Sequence, residues 1–116
     1  MIALYDGVEI LPGIFADGEL TLGENIADLG AMSCMLELMS HMENPDYRTF
    51  FEAHAASERG HASEQFIRVT TAQDTHSMFP LRVNRGEPSF QEFYDTYGVT
   101  EGDGMYIPPE DRVSIW

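Results

Sequence analysis

The stretch from Leu22 to Met42 constrains this chain more than any other. It contains no proline, and its apolar residues Ile26, Leu29, Met32, Leu36 and Met39 recur at intervals of three or four. Met35 and Leu38 fall beside that stripe and widen it past a single face, so a helix here needs cover on more than one side. Thr21-Leu22-Gly23-Glu24 at its start has the capping-box pattern, a threonine three residues before a glutamate. The remaining segments must therefore be arranged around one long central helix, and the expected fold class is mainly α.

The other elements follow from local signals. Residues 1–20 read as an irregular arm or weak hairpin, with turn pairs at Pro12-Gly13 and Asp17-Gly18. Residues 21–116 read as the helical body, closed by a C-terminal plug of Val113, Ile115 and Trp116. Asn44-Pro45 signals a second helix running towards Arg59 and ending near Gly60, with Phe50 and Phe51 as anchors. Ser63 can cap a third helix through Glu64, Phe66, Ile67 and Val69, which gives way to loop before Met78-Phe79-Pro80. Pro88-Ser89 with Glu92 reads as another capping box, opening a short helix whose Phe90, Phe93, Tyr94 and Tyr97 face inward and which Gly98 closes. The sum is a single domain of about four helices, with a long connecting loop that carries His76 and Arg82 and with little strand.

Charge narrows the partners. Twenty acidic residues against six Lys and Arg leave a net charge of −14, a field that repels nucleic acid and anionic membrane surfaces. No apolar run approaches the roughly 20 residues needed to span a bilayer, and the first residues lack the basic start of a signal peptide. The segment thus carries no address, and both the cytoplasm and the cell envelope stay open. Ile2-Ala3-Leu4-Tyr5 is apolar from its first step and reads like the middle of a longer protein. Cys34, the single cysteine, can form no internal disulfide and is expected as a small buried hydrophobe.

Glu24 and Asp28 stand four apart, so on a helix both carboxylates project from one face, where Glu can ligate a metal and Asp can orient an imidazole. Spacing alone more often marks a solvated surface pair, but Ile26, Ala27 and Leu29 surround the pair with apolar residues and Asn25 adds a third polar group. His54, Glu58 and His61 would share one face of a helix continuing through Gly60, which is a stop signal, so a metal site there is discounted. Asp103 and Asp111 lack the loop that calcium needs. The methionines Met32, Met35, Met39 and Met42 read as adaptable core, and Arg59 and Arg112 as structural or solvated.

Glu24-Asn25-Ile26-Ala27-Asp28 resembles the corresponding helix of the neprilysin family of zinc metallopeptidases, which includes bacterial oligopeptidases similar to endothelin-converting enzyme. Phe50-Phe51, Asp74-Thr75-His76-Ser77, Leu81-Arg82-Val83-Asn84, Glu92-Phe93-Tyr94 and the run from Gly102 to Trp116 follow that family's C-terminal order. The resemblance implies the C-terminal part of a thermolysin-like zincin catalytic domain that hydrolyses peptides with a zinc-activated water. It implies Glu24 as the third zinc ligand, Asp28 as the carboxylate orienting a zinc-bound histidine, His76 as the oxyanion donor and Arg82 as the clamp on a substrate carbonyl.

The same resemblance implies that something is missing. The family's other two ligands and its general base come from a His-Glu-x-x-His helix, and none of His41, His54, His61 or His76 begins one. The chain alone is therefore expected to be inactive, and its partners are a peptide substrate and the upstream part of its own polypeptide. An alternative is a non-catalytic remnant that binds itself or a partner through the surface left uncovered. The family usually has Gly-Gly where this chain has Leu29-Gly30 and a tryptophan where Glu58 stands, and neither departure is expected to touch the site. The extracellular animal members' late cysteines are absent, which points to a bacterial member.

Overall fold

The computed structural model describes residues 1–115. Trp116, the last residue of the expected plug, lies outside them. Six helices follow in chain order: α1 (Ile2–Tyr5), α2 (Leu22–Ser40), α3 (Tyr47–Ser57), α4 (Glu64–Gln73), α5 (Phe79–Gly86) and α6 (Gln91–Tyr97). The arm, read as irregular or as a weak hairpin, holds α1 and an antiparallel hairpin of β1 (Glu9–Leu11) and β2 (Ile14–Phe15) around Pro12-Gly13.

The long helix ends where its sequence stops being apolar. Its buried face is Asn25, Leu29, Gly30, Met32 and Leu36, at the spacing of successive helical turns. The expectation of cover on more than one side is not met within this chain: Ile26 is 40% exposed, Met35 47% and Leu38 63%. Cys34, expected to be buried, is exposed on that same bare side.

Several caps differ from the sequence reading. Thr21 is the N-cap residue of α2 but does not cap with its side chain; its hydroxyl donates to the Asp17 carbonyl and accepts from Asn25. Asp46, rather than Asn44, caps α3, with Oδ1 accepting the Thr49 N–H at 3.0 Å. Ser63 caps α4 as expected, accepting from the Phe66 N–H. The Pro88-Ser89 box does not form; Phe90 occupies the N-cap of α6 without a side-chain bond. Gly98 closes α6 in the left-handed region at φ 66°, where a side chain would be strained.

The largest correction concerns Arg82. Met78-Phe79-Pro80 is a helix start, not a break: Pro80 sits in the first turn of α5, where the missing N–H is harmless. Arg82 therefore stands on a helix, while His76 stands on the short link between α4 and α5.

The main core joins Met32 and Leu36 of α2 to Phe51 of α3 and to Phe93 and Tyr94 of α6. Its rings meet edge to face, Phe51 with Phe93 at 5.6 Å and Phe93 with Tyr94 at 5.7 Å between centroids. Tyr94 extends the cluster to the tail: its hydroxyl donates to the Pro88 carbonyl and accepts the Ile107 N–H. Arg112 lies over the Tyr94 ring at 3.5 Å, a structural role. A smaller cluster of Tyr5, Ala16 and Leu81 fastens the arm to α5. Gly18 allows that closure, since a Cβ there would stand 2.6 Å from the Ile2 carbonyl oxygen.

Candidate functional site

All four residues singled out from the sequence meet at the N-terminal end of α2. Glu24 and Asp28 lie on its first two turns. His76 reaches Glu24 from the α4–α5 link, with Nε2 3.3 Å from Oε2. Arg82, on the first turns of α5, grips Asp28 with two parallel bonds of 2.7 Å, from Nε to Oδ2 and from Nη2 to Oδ1.

Three further residues complete the cluster. Asp74 accepts at Oδ1 from the His76 backbone N–H at 2.9 Å and faces the ring Nδ1 at 2.8 Å, so one carboxylate sets both the turn and the imidazole. An aspartate two residues before a histidine is the local signal that marks this turn. Glu58, at the end of α3, stands 3.0 Å from Arg82 Nη1. It replaces the family's usual tryptophan, and contrary to expectation this departure does touch the site. Asn25 anchors the link: its buried Oδ1 accepts the Ser77 hydroxyl at 2.8 Å, directly after His76.

The electrostatics follow from these contacts. The hydrogen bond to Asp74 holds the His76 imidazole protonated to higher pH than usual, and the charge of Glu24 adds to this. Asp74 is pushed below its ordinary range by the bonds from His76. Arg82 is held more firmly protonated, first by its bond to Asp28 and then by the charges of Asp28, Glu58 and Glu24. The cluster thus has one carboxylate open at Glu24, one charged donor at His76 and one guanidinium fixed by two acids.

The second histidine group does not assemble. His54 Nδ1 pairs with the buried Glu87 at 3.0 Å, Glu58 belongs to Arg82, and His61 is exposed beyond the end of α3. Among the described residues, no three His, Cys, Asp or Glu side chains come together to hold a metal ion, and no helix is long and apolar enough to cross a membrane.

The fold has a close counterpart. The crystal structure of PEPO from Lactobacillus rhamnosis HN001 (DR20) superposes over the whole chain with a TM-score of 0.91 at 33% identity, covering 18% of that protein. The neutral endopeptidase of Lactococcus lactis subsp. cremoris is 40% identical over 116 residues, and that of Lactobacillus helveticus 33%. Fold and relatives together define the class, a mainly helical segment that matches part of bacterial neutral endopeptidases. The family model for peptidase family M13 matches residues 1–113, and the chain belongs to that family. The likeness to neprilysin-type metallopeptidases is thereby shown. The chain spans 18% of the length of the curated relatives it matches.

Proposed function

We propose that this chain contributes one wall of the active site of a zinc-dependent endopeptidase, and that it is inactive alone. The observation that carries the reading is convergence: Glu24, Asp28, His76 and Arg82 come from two helices and a link, yet meet at one end of α2.

The donor set fits zinc in part. Glu24 offers a half-exposed carboxylate beside the His76 ring, a group of the kind that ligates zinc. One carboxylate is a third of the protein ligands a catalytic zinc site uses, so the others come from a His-Glu-x-x-His helix outside this sequence. When bound, zinc polarises the substrate carbonyl and activates water. Asp28 is placed to fix a neighbouring imidazole on that missing helix while it fixes Arg82. His76 holds a proton at Nε2, where it can donate to an oxygen gaining negative charge, and Asp74 keeps the ring oriented for this. Arg82, locked by its acids, presents its remaining N–H groups to a substrate carbonyl.

Calorimetric zinc titration tests the reading, on the chain alone and after adding an upstream segment that carries His-Glu-x-x-His. Tight zinc binding and peptide hydrolysis are expected only with the segment, and Glu24→Gln should abolish the binding. Turnover by the chain alone overturns it. A second reading, self-association without catalysis, draws on the exposed Met35 and Leu38 of α2 and on Met42 just past its end. It gains if the chain is a dimer in sedimentation and neither mixture binds zinc.

A further inference from the structure

We propose that Glu58 is a positioning and specificity residue: as second carboxylate on Arg82 it fixes the guanidinium and cancels its charge, so the site accepts a neutral peptide carbonyl and turns away a free carboxylate. The inference rests on the reading of Arg82 as the substrate clamp.

A guanidinium has five N–H donors in one plane. Asp28 takes one on Nε and one on Nη2, and Glu58 takes one on Nη1, all within 3.0 Å. Two acids from two different helices thus hold the plane at opposite ends, which a single partner could not do, since the group could still swing about one bidentate contact. The contact is sheltered: Glu58 is 14% exposed and Arg82 and Asp28 are each 23% exposed, so solvent screens it less than a surface pair. Two N–H donors remain for a ligand.

The charge count decides which ligand. A lone arginine attracts a carboxylate strongly and often in bidentate fashion. Here one positive charge faces two acids, Asp28 and Glu58. A substrate ending in a free carboxylate would bring another negative charge to a region already net negative. A backbone carbonyl accepts the two spare N–H bonds without that repulsion. Glu58 therefore biases the clamp towards bonds in the interior of a peptide.

The test has two parts. On the 116-residue chain, NMR of the arginine side chains should show slow rotation and resolved Nη protons for Arg82, unmoved by acetate. Glu58→Gln should merge those signals and make them respond to acetate. Equal behaviour of the two proteins overturns the inference whatever the function. In the lactococcal neutral endopeptidase carrying this chain as its matching segment, two substrates are compared that end one residue past the cleaved bond, as amide or as free acid. Glu58→Gln should reduce the preference for the amide in kcat/KM between about twofold and tenfold, through KM for the acid. An unchanged ratio, with KM raised by Arg82→Lys, overturns the role of Glu58 alone. An Arg82→Lys variant with unaltered KM for both overturns the clamp reading and this inference with it.

Discussion

The two ends of this molecule satisfy their side chains in opposite ways. At the aromatic end, Phe51, Phe93, Tyr94 and Tyr106 meet one another edge to face, and the buried Tyr94 hydroxyl finds both its donor and its acceptors within the chain. At the polar end, carboxylates outnumber cations, Glu24 and His76 stay half exposed, and the neighbouring face of α2 shows Ile26 and Met35 to solvent. The residues of this chain build the scaffold that positions the site, and on the proposed reading the site draws its other ligands from outside them. Stability should therefore reside at one end and chemistry at the other.

The strongest way to break that comparison is at Phe51, which is fully buried. Phe51→Ala removes a ring that touches Phe50, Phe93 and Tyr97, and such truncations lose about 3–5 kcal/mol. Against a total of roughly 5–15 kcal/mol for a domain, that leaves little folded protein. Urea unfolding should show the loss, while Glu24→Gln shifts stability by no more than about 0.5 kcal/mol. Equal losses at the two positions would end the division between scaffold and site.

Asn25 sharpens the comparison because it belongs to both ends. It lies on the buried face of α2, yet its amide bridges Thr21 and Ser77 beside His76. Asn25→Leu keeps the bulk but leaves the buried Ser77 hydroxyl without its acceptor and takes one bond from Thr21, so a loss of about 1–3 kcal/mol is expected in the same urea experiment. Exchange broadening of His76 in NMR spectra should accompany it, since the link loses its anchor. A stability loss with His76 unchanged would make Asn25 a core residue only.

What could be read from the sequence divides along the same line. The span of α2, the Ser63 cap, the Gly98 stop and the anchors Phe51, Phe93 and Tyr94 rest on periodicity and turn chemistry, which act over a few residues. The spacing of Glu24 and Asp28 and their apolar surroundings marked that pair only weakly, and it took a family resemblance to single out all four of Glu24, Asp28, His76 and Arg82. Glu58 and Asn25 escaped because their partners, Arg82 and Ser77, lie far along the chain and no local pattern announces such a contact. α5 escaped because proline in a first turn looks like proline in a loop until the following residues are placed. Cys34 and Met35 were expected inside because an apolar residue reports its preference for burial, not whether this chain supplies the cover.

The smallest effect is expected at the His76–Asp74 pair, and its sign can be worked out. The folded-state value of His76 is raised above 6.5, chiefly by the bond to Asp74. Its contribution to stability is then fully present below that value and is lost as pH rises through the folded one. Asp74 is lowered from 3.8 by its bonds from His76, so its contribution is present above 3.8 and is lost as pH falls through the folded value. The pair is therefore complete between about 3.8 and 6.5. NMR titration of the His76 ring should find it holding its proton above 6.5, and Asp74→Asn should bring it down. Because both side chains are solvated, the same variant should leave the urea midpoint almost unchanged. A loss as large as that of Phe51→Ala would mean that this turn holds the fold together, and the polar end would then be part of the scaffold.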